Sequence, residues 1–214
     1  ESTSTSIPTT LYYGADFSIL SDAHQLDATV KHGTKYVNWR KKDFFTDLPL
    51  PHCGIHINNF KLKKFCFERF LKKFQNRFQI IEGSVDDVIN TDNGVYCMIN
   101  NEYHYFDFMV DCSGYPEDYS NYEFVDTIPV NKGLVYTIDQ PGNWNFTYHQ
   151  ATKNGWMFGI PLQSRQGWGY LYNDNISTDQ QAIDDITKIF NLSSEPTLKD
   201  FSFKNFRAKK FMEK

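Results

Sequence analysis

The sequence predicts a mixed α/β fold, and three patterns support that prediction. Residues 59–78 place apolar side chains at helical spacing between basic ones. Residues 85–99 hold two strand-like runs on either side of Thr91-Asp92-Asn93-Gly94, a strong short-range signal of a β-hairpin. Further strand-like runs between 133 and 172 precede a second helical pattern at 178–190. Because 40% of the 214 residues are hydrophobic and 17% are aromatic, the chain has ample material for a packed core.

The first part of the chain is predicted to contain loops, one strand and one helix. Residues 1–30 have the Ser/Thr-rich composition of loops, and Lys35–Trp39 reads as a strand. Two prolines indicate a loop over residues 40–52. Asn58 or Asn59 is the expected N-cap of the helix that follows.

The second part is predicted to be rich in strands. Phe78–Ile81 reads as a buried strand before the hairpin, and Tyr103–Asp111 reads as a strand after it. The later strands are expected at Gly133–Asp139, Trp144–His149, Gly155–Ile160 and Gly169–Tyr172. A helix capped by Ser177 or Thr178 is expected to follow, and residues 207–214 end the chain in a helix-like basic and aromatic pattern.

Composition excludes several classes of protein. A net charge of −4 does not suit a nucleic-acid-binding chain, and an apolar run of about 18 residues, which a membrane span would need, does not occur. The first residues lack the features of a signal peptide, and the four cysteines form no Cys-x-x-Cys pair. Free thiols and a cytoplasmic location are therefore expected. Both ends of the sequence read as truncations.

The helix at 59–78 carries a basic face as well as an apolar stripe. The basic residues are Lys61, Lys63, Lys64, Arg69, Lys72, Lys73 and Arg77. Such a face is compatible with a nucleic acid or a membrane surface. A solvated helix face is the favoured interpretation, because no aromatic side chain interleaves the charges.

General catalytic motifs do not occur in this sequence. It contains no Gly-x-Gly-x-x-Gly turn, no P-loop, no His-Glu-x-x-His helix and no Gly-x-Ser-x-Gly elbow. His52-Cys53-Gly54-Ile55-His56 offers three possible metal ligands, but an extended segment would hold its two imidazoles about 13 Å apart. No metal site is expected there.

Two other segments suggest a site. A strand ending at Asp111 is followed at once by Cys112-Ser113-Gly114, and ligands of α/β sheets gather at such strand ends. Trp156, Phe158 and Ile160 alternate, so they share one face of a strand that ends at Pro161. They could form a rigid apolar wall, although the pattern alone favours a strand that faces the core.

Taken in order, five segments resemble the flavin-dependent halogenases of the tryptophan-halogenase family. They are Glu1-Ser2-Thr3, similar to the strap beside the flavin; Asp27–Trp39, similar to the lysine segment; Ile55–Phe60, similar to the start of the next helix; Phe106–Gly114, similar to the Asp-Cys-Ser-Gly strand; and Gly155–Leu162, similar to the Trp-x-Trp-x-Ile-Pro motif. Two positions depart from the pattern: Asn58 stands where Asp is usual, and Phe158 stands where the second Trp is usual.

The resemblance implies a flavoprotein-monooxygenase-like fold, with an FAD-binding sheet and an antiparallel substrate-side sheet. Residues 1–214 would form one central portion, without the glycine-rich FAD-binding strand and the C-terminal helical part, so the fragment alone is expected to be inactive. Lys31 would be the catalytic lysine, and Trp156, Phe158, Ile160 and Pro161 would separate flavin from substrate. The residues expected to contact FAD are Glu1, Ser2, Thr3, Asp111 and Gly114.

The reaction that the resemblance implies uses reduced FAD, oxygen and a halide ion to make hypohalous acid. Lys31 would deliver the halogen to an electron-rich aromatic substrate such as tryptophan or another indole. A separate flavin reductase would supply the reduced flavin, and a homodimer is left open. Two alternatives remain: a flavin-dependent monooxygenase, and a non-catalytic binding module that uses the basic helix.

Overall fold

The computed structural model describes residues 2–49, 52–116, 118–192 and 196–210. In chain order the elements are α1 (Ser6–Ala15), α2 (Ile19–Asp22), β1 (Thr29–Lys31), β2 (Gly33–Val37), β3 (Phe44–Asp47), β4 (Gly54–His56), α3 (Asn59–Phe74), a 3-10 turn (Gln75–Arg77), β5 (Val85–Thr91), β6 (Gly94–Ile99), β7 (Glu102–Phe106), β8 (Tyr122–Phe124), β9 (Lys132–Ile138), β10 (Thr147–Ala151), β11 (Gly155–Pro161), β12 (Gln166–Tyr172), α4 (Asp179–Phe190), β13 (Lys199–Ser202) and β14 (Phe206–Ala208).

These elements form two compact units. The larger unit combines Glu1–Phe78 with Pro129–Phe203, and the smaller unit combines Gln79–Ile128 with Lys204–Lys214. The mixed α/β composition that the sequence predicted is present in the larger unit, which holds all the described helices, whereas the described elements of the smaller unit are strands.

A seven-stranded sheet dominates the larger unit. Its strand order is β13-β9-β12-β11-β10-β2-β3, and its pairs are antiparallel except for β10 with β2. Helix α4 packs on one face, where Ala182 and Ile186 join Met157 and Tyr170 in a buried cluster. A capping box between Thr178 and Gln181 begins α4, as the sequence predicted for Thr178.

A second core in the larger unit lies between α1, α3 and the β1–β4 pair. It is built from Leu11, Ala15, Phe17, Leu26, Ala28, Ile55, Ile57 and Phe65. Asn58 caps α3 by accepting a hydrogen bond from the backbone N–H of Phe60, as predicted. Two residues of the basic face form ion pairs with residues outside α3: Arg69 pairs with Asp22 at 3.1 Å, and Lys73 pairs with Asp16 at 2.8 Å.

The smaller unit contains the predicted hairpin. Strands β5 and β6 pair across a two-residue turn at Asp92-Asn93, and β7 continues the meander on the other side of β6. A separate two-stranded pair joins β8 to β14. Among the described residues of the whole chain, no helix is long and apolar enough to cross a membrane.

Several predicted elements were wrong. Phe78–Ile81 does not form a strand, and β7 ends at Phe106 rather than Asp111, because the partner strand β6 begins at Gly94 and offers no further backbone groups beyond that point. Residues 1–30, predicted as loop, contain α1 and α2, whose packing outweighs a composition typical of loops. Strand β3 lies within the predicted loop at 40–52, and β14 occupies part of the predicted helix-like end.

Candidate active site

The predicted lysine lies in a short two-stranded sheet that the N-terminal segment extends. Strand β1 pairs with β4 so that Lys31 lies opposite Gly54. On the other side of β4, the backbone N–H of Thr3 donates to the carbonyl of Ile55 at 3.0 Å, and Ser2 bridges to His56. A β-carbon on Gly54 would lie 2.7 Å from the Thr3 carbonyl oxygen. Glycine at position 54 therefore allows the N-terminal segment to approach Lys31.

Lys31 makes two hydrogen bonds to this segment. Its Nζ donates to Ser2 Oγ at 3.0 Å and to the carbonyl oxygen of Thr3 at 3.3 Å. Both acceptors are neutral, and burial lowers the pKa of Lys31 below its ordinary value. The geometry therefore yields a partly desolvated amine that is fixed in position.

A buried histidine lies in β4, the strand that pairs with the strand of Lys31. His56 is fully buried, and its Nε2 lies 3.0 Å from Thr147 Oγ1 while its Nδ1 lies 3.2 Å from Thr29 Oγ1. Thr147 Oγ1 in turn lies 2.7 Å from Ser2 Oγ. Burial, followed by the positive charge of Lys31, lowers the pKa of His56 to about 3, so the imidazole is neutral.

The lysine segment is fastened to the end of β11. The hydroxyl of Thr29 donates to the carbonyl oxygen of Pro161 at 2.7 Å. The buried carboxylate of Asp27 accepts from Ser164, at 2.8 Å from its backbone N–H and 2.6 Å from its hydroxyl. These contacts fix β1 relative to the strand that carries the predicted wall.

The wall residues share one face of β11. Met157 points to the opposite face, where it is 1% exposed in the α4 core, whereas Trp156, Phe158 and Ile160 are half-buried on the face away from α4. The alternative of a core-facing wall, which the pattern alone favoured, is therefore wrong for these three side chains. Pro161 ends the strand and is buried.

Other aromatic rings extend this face across the sheet. The Trp156 ring centroid lies 5.9 Å from that of Trp39, 5.4 Å from that of His149 and 6.0 Å from that of Phe158. His149 pairs in register with Phe158 on one side and with Tyr36 on the other. Burial, and then the charge of Lys31, lowers the pKa of His149. The face is thus largely aromatic, and its His149 is close enough to Lys31 to be affected by the charge of that residue.

Comparison with known proteins decides the family. A family model described as tryptophan halogenase matches residues 55–214. The chain belongs to the tryptophan halogenase family. It is similar to the tryptophan 7-halogenase RebH of Lentzea aerocolonigenes, with 23% identity over 161 residues, which cover 67% of this chain and 29% of that protein.

Solved structures show the same fold. A tryptophan halogenase from Shewanella frigidimarina matches 97% of this chain and 53% of its own, with a TM-score of 0.80 and 16% identity. Xcc4156, a flavin-dependent halogenase from Xanthomonas campestris, matches 100% of this chain and 55% of its own, with a TM-score of 0.80 and 17% identity. The chain therefore spans about half the length of these halogenase structures.

The residues predicted to contact FAD fall in different places. Ser2 and Thr3 lie beside Lys31, and Glu1 lies outside the described residues. Asp111 and Gly114 belong to the smaller unit, on an exposed stretch that follows β7. Hydrogen bonds from the hydroxyl and backbone N–H of Ser113 lower the pKa of Asp111, so its carboxylate is ionised.

Sequence reasoning missed three residues near Lys31: Thr29, His56 and Thr147. His56 was considered in a metal motif and in the segment that resembles the start of the next helix, but not as a neighbour of Lys31; its ring is hydrogen-bonded to threonines. In the part of the chain that the structure describes, no three His, Cys, Asp or Glu side chains gather to hold a metal ion. These three residues have no distinctive spacing in the sequence, so their proximity to Lys31 is visible only in the fold.

Proposed function

We propose that this chain supplies the halogenating lysine and the dividing wall of a flavin-dependent halogenase, which acts on an electron-rich aromatic compound such as tryptophan or another indole. The observation that carries the proposal is the environment of Lys31. A half-buried amine with a lowered pKa is held by Ser2 and Thr3, next to an aromatic face. Family membership and the RebH relative support the reaction class.

The residues assigned to FAD have the chemistry that parts of this cofactor would need. Gly114 has a φ of 101° and open space where a β-carbon would lie, which leaves its backbone accessible to a bound molecule. Asp111 offers an ionised carboxylate suited to hydroxyl donors, and Ser2 and Thr3 would form the strap. When bound and reduced by a separate flavin reductase, FAD would supply the oxidation of halide by oxygen that yields hypohalous acid.

Lys31 would act on that hypohalous acid in one of two ways. As an ammonium it would donate a hydrogen bond that polarises the oxidant. As a neutral amine it would exchange one N–H hydrogen for the halogen and release water, and the aromatic carbon would then take the halogen and lose its proton. Burial lowers the pKa of Lys31 and so favours the neutral amine that the second route requires.

The wall would keep the aromatic substrate away from the place where the oxidant is made. Trp156, Phe158 and Ile160 form one row of large side chains on a central strand of the sheet, so they are held rigidly. Hypohalous acid is small enough to pass along such a wall, whereas an indole is not. Pro161 ends the row and accepts the hydrogen bond that ties β11 to the lysine strand.

The proposal is tested by comparing Lys31→Ala with Lys35→Ala in a catalytically competent protein that contains this chain. Lys31 and Lys35 are both half-buried and four residues apart, but Lys35 lies in β2 opposite Tyr148 and Phe45. We expect Lys31→Ala to abolish halogenated product, measured by mass spectrometry with a flavin reductase, halide and tryptophan or indole. Flavin reoxidation should stay close to normal, because Lys31 acts after hypohalous acid has formed.

Lys35→Ala should retain most of the product. Equal losses in the two variants would mean that the charge of the region matters rather than Lys31 itself. Near-normal halogenation by Lys31→Ala would refute the assignment of the catalytic lysine.

A further inference from the structure

The hydrogen bonds around His56 have a direction that can be worked out by counting hydrogens. The carbonyl oxygen of Pro161 can only accept, so the single hydroxyl hydrogen of Thr29 is used in the 2.7 Å bond to it. Thr29 Oγ1 must then accept in its 3.2 Å contact with His56 Nδ1. His56 Nδ1 therefore carries a hydrogen.

The hydrogen bonds between His56 and Lys31 have directions that follow in the same way. Because the imidazole is neutral and Nδ1 holds its hydrogen, Nε2 accepts from the hydroxyl of Thr147 at 3.0 Å. Thr147 has no second hydrogen, so its oxygen accepts from Ser2 at 2.7 Å. Ser2 Oγ then accepts from Lys31 Nζ at 3.0 Å through one of its lone pairs.

The opposite direction satisfies fewer groups. A hydrogen on Nε2 would require Thr29 to donate to Nδ1, and the 2.7 Å contact with the Pro161 carbonyl would lose its hydrogen. Thr147 would then donate to Ser2, whose own hydrogen would have no acceptor within this chain of bonds while Lys31 is an ammonium. A buried donor or acceptor that is left without a hydrogen-bond partner destabilises the site, so this direction is disfavoured.

We propose that Ser2, Thr147 and His56 form a one-way hydrogen-bond relay that positions Lys31, with Thr29 and the Pro161 carbonyl as its fixed end. These side chains are positioning residues, since they act on the halogen only through Lys31, and their role in the reaction rests on the proposed function. The relay connects the N-terminal segment, β1, β4, β10 and the end of β11. It thereby links the position of the Lys31 amine to Pro161, which ends the wall.

The charged and titratable groups around the relay are consistent with this role. Lys31 lies at one end, and its charge acts on both His56 and His149. The described acceptors of its Nζ are a hydroxyl and a carbonyl, so an oriented lone pair on Ser2 contributes much of what holds the amine. Loss of that orientation should therefore change both the position and the pKa of Lys31.

The first test needs no variant and no activity. In protein labelled with ¹⁵N-histidine, NMR correlations between ring nitrogens and ring protons should show His56 as a neutral imidazole with its hydrogen on Nδ1 at neutral pH. A hydrogen on Nε2, or a protonated ring at that pH, would overturn the relay.

The second test compares Thr147→Val with Thr147→Ser. Valine keeps the shape of threonine but removes the hydroxyl, whereas serine keeps the hydroxyl. We expect Thr147→Val to lower product formation by about tenfold to a hundredfold, as small misplacements of a reacting group do. The Lys31 pKa, followed by NMR of its side chain, should fall further because the ammonium loses an oriented acceptor, and Thr147→Ser should restore both values.

The outcomes separate this inference from the proposed function. If Lys31→Ala abolishes halogenation while Thr147→Val leaves both the rate and the Lys31 pKa unchanged, the relay is wrong and the lysine assignment stands. If Lys31→Ala halogenates normally, the proposed function fails, and the tautomer of His56 still decides whether the relay exists. A folded Thr147→Val protein, checked by circular dichroism, with a lowered Lys31 pKa supports the relay.

Discussion

His56 is a buried neutral base whose described ring partners are threonine hydroxyls rather than carboxylates, and this makes the larger unit sensitive to acid. Its pKa is about 3 in the folded protein, against an ordinary value of 6.5. Between those two values the unfolded chain binds a proton that the folded chain does not. Stability from this residue is therefore fully present above about pH 6.5 and is lost as the pH falls towards 3.

When the pH is lowered from 7.5 to 5.5, protonation of His56 in the unfolded chain should lower the free energy of unfolding by about 1 kcal/mol. The measurement is urea unfolding at both pH values for the wild-type protein and for His56→Gln, which cannot be protonated in this range. His149, whose pKa is also lowered, is present in both proteins, and its effect cancels in the comparison. An equal loss of stability in the two proteins would show that His56 titrates normally in the folded state.

At the scale of single residues, the sequence located Lys31 only through its place in the family pattern. Its partners could not be found in that way. Ser2, Thr29, His56 and Thr147 are common polar residues, and Ser2 and Thr147 lie 145 positions apart in the chain. They meet because the N-terminal segment joins β4 and because β10 runs parallel to β2, and neither pairing leaves a periodic signal in the sequence.

At the scale of elements, the sequence predicted the helix caps and hairpin turn, which depend on residues close together in the chain. Helix α3 has its cap at Asn58, α4 has its capping box, and the β5–β6 hairpin has its turn, all near the expected positions. Helix α1 was missed because its stability comes from burying Leu11 and Ala15 rather than from a helical composition. Strand β3 was missed because an edge strand of four residues between loop signals has little pattern of its own.

Strand β12 provides a matched pair of glycines for testing how the wall is built. Gly169 pairs with Phe158, and a β-carbon there would lie 2.4 Å from the Phe158 ring. Gly167 pairs with Ile160 on the same face, and a β-carbon there would have no atom within 4 Å. Gly169→Ala should therefore destabilise the protein by about 1–3 kcal/mol and displace Phe158, whereas Gly167→Ala should be neutral or slightly stabilising.

Urea unfolding of the two alanine variants checks this prediction, and the near-ultraviolet circular dichroism of the aromatic face reports the displacement of Phe158. In a catalytically competent protein, Gly169→Ala should also reduce halogenation more than Gly167→Ala does. If both variants unfold at the same urea concentration, Phe158 does not lie over Gly169.

At the scale of the whole molecule, the chain leaves the larger unit after Phe78 and returns to it at Pro129. Composition does not change at these points, which is why the sequence indicated one continuous region. The residues around Lys31 all belong to the larger unit, which has two cores of its own. Of the residues assigned to FAD, Ser2 and Thr3 belong to the larger unit, and Asp111 and Gly114 belong to the smaller one.

The last prediction concerns FAD binding by the 214-residue polypeptide itself. Flavin dinucleotides are usually held by a glycine-rich turn whose helix N-terminus binds the pyrophosphate, and this sequence contains no Gly-x-Gly-x-x-Gly turn. Asp111 and Gly114 offer one carboxylate and one accessible stretch of backbone, which do not replace that anion site. We therefore expect the polypeptide to purify without yellow cofactor and to show weak or no binding when FAD fluorescence is titrated with it.

The variant Asp111→Ala should give the same titration as the wild-type polypeptide. Stoichiometric flavin that co-elutes with polypeptide of confirmed mass would contradict the prediction, and its loss in Asp111→Ala would show that this carboxylate anchors the cofactor without the glycine-rich turn.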